Sequence, residues 1–134
     1  MKKLKHCHFQ ICYNEYPFLL EKLPFLYKNF DQIIFYDLCI TEKPYHNSTD
    51  ESLDFLTQYP DPDKKIIILT DTNLDSIRSD IGISAIGKRQ MFVKGSDFVN
   101  DDIDVFWCTD ADEFIFQETF DQVDLFFSLD ENKE

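Results

Sequence analysis

Four short apolar runs constrain this chain most: His8–Tyr13 (HFQICY), Gln32–Tyr36 (QIIFY), Lys65–Thr70 (KIIILT) and Ile103–Cys108 (IDVFWC). Runs of this length and mostly apolar character read as strands, and the last, bounded by charges, as one buried on both faces. The segments between them carry helical spacing. Leu19, Leu23, Leu26 and Phe30 follow Asn14, Glu15 and Pro17, which read as an N-cap, a first-turn acid and a first-turn proline. Pro24 is expected to kink or divide that helix. Ser48-Thr49-Asp50-Glu51 reads as a capping box for a helix through Leu53, Leu56 and Tyr59, stopped by Pro60 and Pro62. Residues Ser84 to Val99 put Ile86, Gln90, Val93 and Phe98 on one side of a helix that Gly95 weakens. Thr72 to Gly82 is polar and irregular, with a helical turn around Ile77. Phe120, Val123, Phe126, Phe127 and Leu129 predict a last amphipathic helix, acids outward. Strands alternating with helices predict an α/β fold, a mostly parallel sheet with flanking helices and right-handed crossovers.

The acids fall where such a sheet places its ligands. Asp37 follows the second run, and Asp110, Asp112 and Glu113 follow the fourth within a few residues. Unpaired carboxylates are costly to bury, so they belong where strands emerge, in the crevice outside the carboxyl ends. Asp110 and Asp112, two apart, can turn oxygens toward one cation, and all-oxygen ligation suits Mg²⁺ or Mn²⁺ shared with phosphates. The plainer reading is a solvated acidic turn that ends a strand. Glu113 fits a partner behind these ligands or a cap for the turn. His6, Cys7 and His8 invite a metal reading, against which strand neighbours point to opposite faces; the plainer expectation is a frayed start.

Composition narrows the partners. The 134 residues form a single domain, 1–134, and carry 26 acids against 13 bases, a formal net charge of −13. That field repels polyanions, which excludes nucleic acid as a partner, although Lys88 with Arg89 can still hold a phosphate. No apolar run is long enough to span a bilayer, so there is no transmembrane segment, and the start MKKLKHCHFQ lacks the apolar region of a secretory signal. Cys7, Cys12, Cys39 and Cys108 lack CxxC spacing, and fit buried thiols in a reduced cytoplasmic setting, at most peripheral to a membrane.

Four motifs in order resemble the nucleotide-binding half of a GT-A-type glycosyltransferase, near families 2 and 92. They are the strand, Asn14-Glu15 and Leu-rich helix of CYNEYPFLLEKL; the strand ending in Asp37 with Ser48-Thr49-Asp50; the basic GKRQMF; and DADEF, in which Glu-Phe follows the second Asp. The resemblance implies a Rossmann-like GT-A architecture and transfer of a sugar from a UDP- or GDP-sugar donor to a glycan or lipid-linked acceptor. It implies that Tyr13 lies against the base and that Asp37 hydrogen-bonds base or ribose. Lys88 and Arg89 would neutralise the pyrophosphate, and Asp110 and Asp112 would hold Mn²⁺ or Mg²⁺ between the phosphates. The stretch from Asp37 to Asp50 is longer than the Asp-x-Ser-x-Asp pattern of many family 2 members, which leaves Asp50 without an assigned role. The chain also stops soon after DADEF, so it reads as truncated: the acceptor half is missing and no catalytic base is named.

A nucleotide-sugar-binding module without catalysis is the alternative. A haloacid-dehalogenase phosphatase would need its DxD early, with further parts downstream. An EF-hand would need a glycine after Glu113, and a Rossmann dehydrogenase a GxGxxG after the first strand.

Overall fold

The computed structural model describes residues 3–41, 44–73 and 83–129. Its elements run β1 (His6–Cys12), α1 (Tyr16–Asn29), β2 (Gln32–Asp37), α2 (Ser52–Gln58), β3 (Ile66–Leu69), α3 (Ile83–Ser96), β4 (Val105–Asp110) and α4 (Gln117–Ser128). The strands form one sheet, ordered β3-β2-β1-β4, and every pairing is parallel. Successive units therefore extend the sheet from β1 to β3, and the chain then crosses back to add β4 on the other side of β1. The expected α/β architecture is observed. No helix among the described residues is long and apolar enough to cross a membrane.

The core has two layers. On one face Cys12, Ile33 and Phe35 pack with Leu19, Leu23 and Leu26 of α1, Leu56 of α2 and Phe120 of α4. On the other, Cys7, Phe9, Ile34 and Tyr36 pack with Met91 of α3. Helices on opposite faces are what right-handed crossovers produce when a sheet grows first one way and then the other.

Several expectations are corrected. The start is not frayed: β1 begins at His6, is central, and buries every residue except the half-buried Ile11. The fourth strand is an edge, so Val105, Phe106 and Trp107 are only half-buried and Cys108 is exposed. α1 runs unbroken through the exposed Pro24, while Pro17 lies in its first turn. Neither α1 nor α2 has a side-chain N-cap: the cap positions are Glu15 and Glu51, and Asn14 and Ser48 bond elsewhere. α3 turns Gly87, Met91 and Gly95 to the core and leaves Val93 exposed, and it ends at Ser96, short of the exposed Phe98. A Cβ on Gly95 would lie 2.1 Å from the Phe9 ring, so glycine is there for close approach and the helix continues through it. In α4 only Phe120 and Ser128 are buried, while Leu125, Phe126 and Phe127 are exposed. The irregular stretch with a turn at Ile77 lies outside the described residues, apart from Thr72 and Asn73.

Candidate functional site

The return crossing to β4 leaves a gap between the helices at the carboxyl ends of β1 and β4, the switch point at which open α/β sheets bind ligands. An open cleft of about 390 Å³ lies there. β1 contributes Ile11, Cys12 and, just beyond it, Tyr13 and Glu15; the stretch after β2 contributes Leu38 to Thr41. Asp110, Ala111 and Asp112 form the far wall, and Lys88 reaches in from α3.

The acidic turn is built tightly. Asp110 is the last residue of β4 and pairs in register with Ile11. Glu113 closes the turn: its Oε1 accepts the Asp110 N–H at 2.7 Å, and its own N–H donates to the Asp110 carbonyl at 3.0 Å. Glu113 is thus the cap of the turn, one of the two roles left open for it. Asp110 and Asp112 remain exposed on the cleft side. Lys88 Nζ stands 3.8 Å from Asp110 Oδ1, with both groups more than half exposed. An ion pair so wetted adds little stability, and its interest lies in where it holds a positive charge.

Among the described residues no group of three His, Cys, Asp or Glu side chains could hold a metal ion. The donor set is two hard carboxylates on one open wall. That fits an ion which keeps several waters and takes further ligands from phosphates, as Mg²⁺ does, and does not fit a cage of protein ligands alone.

The remaining expected residues are less uniformly placed. Tyr13 lines the cleft, with its hydroxyl 2.9 Å from His46 Nε2 and its ring edge-on to that imidazole. Arg89 is exposed on α3 beside Lys88 but is not part of the cleft wall. Asp37 is fully buried and lies off the cleft wall. Its Oδ1 accepts the Ser48 N–H at 2.6 Å and its Oδ2 the Ser48 hydroxyl in a very short hydrogen bond. Burial raises the Asp37 pKa, and these bonds from Ser48 oppose the rise. Asp37 therefore anchors the segment after β2 in this structure. Asn14 does the same from β1: its Oδ1 accepts from the N–H groups of Thr49 and Asp50 at 2.7 and 3.2 Å. Its φ of 50° is one that asparagine tolerates better than most residues. Asp50, one residue before the α2 cap position, accepts the Ser52 N–H at 2.8 Å in a local turn.

Two features went unread in the sequence. Lys22 of α1 is only 3% exposed and lies under the acidic turn. Its Nζ donates to Gln10 Oε1 at 2.6 Å, the Asp110 carbonyl at 3.1 Å, Thr109 Oγ1 at 3.3 Å and the Ala111 carbonyl at 3.5 Å. Desolvation pushes its pKa down to about 8, and the carboxylates of Glu113, Asp112 and Asp110 resist that fall. The signal was available: Lys22 lies three residues after Leu19 and four before Leu26, on the apolar stripe. The second feature is a polar row on β1, where His6, His8 and Gln10 alternate onto one buried face. His6 accepts from Trp107 Nε1 at 3.0 Å and meets Asp124 at 2.7 Å. His8 lies 2.8 Å from Thr109 Oγ1, and burial, with Lys22 nearby, pushes its pKa down to about 3. Glu15, on the cleft wall, has its pKa raised first by burial and then by Asp112 and Asp50.

No protein-family model matches the sequence, and no curated protein matches it. Among solved structures the chain resembles S. aureus TarS 1-349, a GT-A-like glycosyltransferase, with a TM-score of 0.60 at 18% identity. The match covers 93% of this chain and 32% of that one, so the chain spans about a third of its structural neighbour. At this identity the likeness is one of fold.

Proposed function

We propose that the chain is the nucleotide-sugar-binding portion of a metal-dependent glycosyltransferase. It would act on a UDP- or GDP-sugar donor, with a glycan or lipid-linked acceptor. The observation that carries the reading is the pair Asp110 and Asp112, exposed on one wall of the switch-point cleft with the Lys88 ammonium facing them. The GT-A-like neighbour supports the same reading at the level of fold.

In this reading Asp110 and Asp112 hold Mn²⁺ or Mg²⁺. Lys88, with Arg89 beside it, neutralises the pyrophosphate, and Tyr13 borders the base. A bound ion acts as a Lewis acid and template while charge builds on the departing diphosphate. The protein's part is to hold fixed charges where that charge develops, in a cleft formed before the donor enters. Asp37 is fully buried off the cleft wall, so it reaches a base or ribose only if the segment after β2 moves to expose it. The alternative reading is a module that holds the donor without turning it over.

Calorimetric titration of the chain with UDP and with GDP, with and without Mn²⁺, tests the proposal. Metal-dependent binding that Asp112→Ala abolishes is the expected result. A folded protein that binds neither nucleotide under any metal sinks it. Binding of the UDP- or GDP-sugar without its hydrolysis or transfer selects the alternative reading.

A further inference from the structure

A buried lysine needs a reason. Lys22 lies among Leu19, Leu23 and Leu26 on the core face of α1, where a leucine would pack without desolvating a charge. Its bonds reach three separate pieces of the chain: β1 through Gln10, β4 through Thr109, and the acidic turn through two backbone carbonyls. The carbonyls of Asp110 and Ala111 face the ammonium on the core side, and the carboxylates of Asp110 and Asp112 emerge on the other, into the cleft. Glu113 closes the same turn over the Asp110 amide. The carboxylates of Glu113, Asp112, Asp110 and Glu15 lie around the ammonium, so one buried cation offsets acids that would otherwise repel one another.

We propose that Lys22 is the positioning residue of the acidic turn: by holding the Asp110 and Ala111 carbonyls from beneath, it aims the Asp110 and Asp112 carboxylates into the cleft as one metal-binding pair. The inference rests on the reading of those two aspartates as the metal pair. Lys22 touches neither donor nor ion. It acts as the partners behind metal ligands do, by fixing the orientation of groups that bind. Thr109 extends the arrangement to His8 of β1.

The test compares the full wild-type chain with Lys22→Met, which keeps the length and loses every donor, and with the shorter Lys22→Gln, which retains one donor. Two quantities are read: amide hydrogen exchange at residues 111–113 without ligand, and the factor by which Mn²⁺ tightens UDP binding. The Met variant is expected to exchange faster across the turn, with β1 and β2 amides unchanged. Its Mn²⁺ factor should fall by about tenfold or more while metal-free UDP affinity holds within about twofold. A merely structural lysine would loosen the sheet amides or weaken both affinities alike. Unchanged exchange in the turn, or an unchanged Mn²⁺ factor, overturns the proposal. Should wild type show no Mn²⁺ effect, the donor-site reading fails. Faster exchange in the variant then still upholds the clamp, and unchanged exchange refutes it too. If neither variant folds, the wild-type Lys22 ammonium resonance decides: Mg²⁺ shifts it if the clamp and pair are coupled, and no shift overturns the coupling.

Discussion

Replacing Gly95 by alanine tests how α3 is seated, and with it the position of Lys88. An ideal Cβ at Gly95 would lie 2.1 Å from Phe9 Cε2, 2.7 Å from Cδ2 and 2.9 Å from Cζ. Carbon atoms in good contact stand about 3.5–4.0 Å apart, so ring or helix must retreat by more than ~1 Å. The ring has nowhere to go. Phe9 is fully buried in the central strand, with Phe92 and Phe106 against it at centroid distances of 6.0 and 6.2 Å. Overpacking of this kind costs roughly 1–3 kcal/mol, or more when the backbone must shift. Gly95 is the last residue but one of α3, so alanine regains less there than the ~1 kcal/mol it has over glycine in a helix interior. The expected net loss is about 2 kcal/mol, read by urea denaturation followed in the far-UV. Phe9→Leu should recover part of it, because residues in contact are not additive. The same displacement is expected to move Lys88 relative to Asp110 and, on the proposed function, to weaken nucleotide binding. Stability of Gly95→Ala equal to or above wild type refutes the reasoning, since propensity would then have outweighed a contact that α3 does not make.

Two further predictions concern the residues around the cleft. His8 has a folded pKa of about 3 against 6.5 for the free side chain, so its contribution is present above pH 6.5 and is lost as pH falls toward 3. His8→Leu should remove a few kcal/mol of acid sensitivity over that window, and urea midpoints that fall in parallel for the two proteins between pH 7 and pH 4 contradict this. Asn14→Ala loses the bonds to Thr49 and Asp50 and strains a φ of 50°. It should cost about 1–2 kcal/mol in these exposed surroundings, and Asn14→Gly less, because glycine relieves the φ and loses only the bonds. Thermal unfolding that ranks Gly at or below Ala sinks the backbone part of the argument.

Much of the fold was legible because the four strands are written in apolar runs that nothing else explains. What escaped was carried by residues that periodicity does not score. α3 is oriented by Gly87 and Gly95, which register as weakness when their role is close approach to Ile40 and Phe9. β1 was read two residues late because His6 and Cys7 look like a polar start, whereas both are buried in the sheet. α4 has the composition of an amphipathic helix, but beside an edge strand it has little sheet to cover, and most of its aromatic side stays in solvent. At the site, Asp110, Asp112, Lys88 and Tyr13 share one cleft, because strand ends and a switch point are legible from element order. Asp37 shows the limit: sequence places it at a strand end but does not reveal that Ser48, far along a loop, occupies both its oxygens. Lys22 was hidden by the opposite habit, the expectation that a lysine in a helix is solvated.

The sheet order also sets a timetable. β1 precedes the other three strands in sequence yet lies inside the sheet, with β2 available early on one side and β4 only after β2 and β3 on the other. Non-local pairings of this kind close slowly, and on a ribosome adding ~5–20 residues per second β1 waits several seconds for its second neighbour. Until then the polar row His6, His8 and Gln10 has no Trp107 or Thr109 to meet, and Lys22 has no turn to hold. Among these elements the cleft forms late, in the step that pairs β4 with β1.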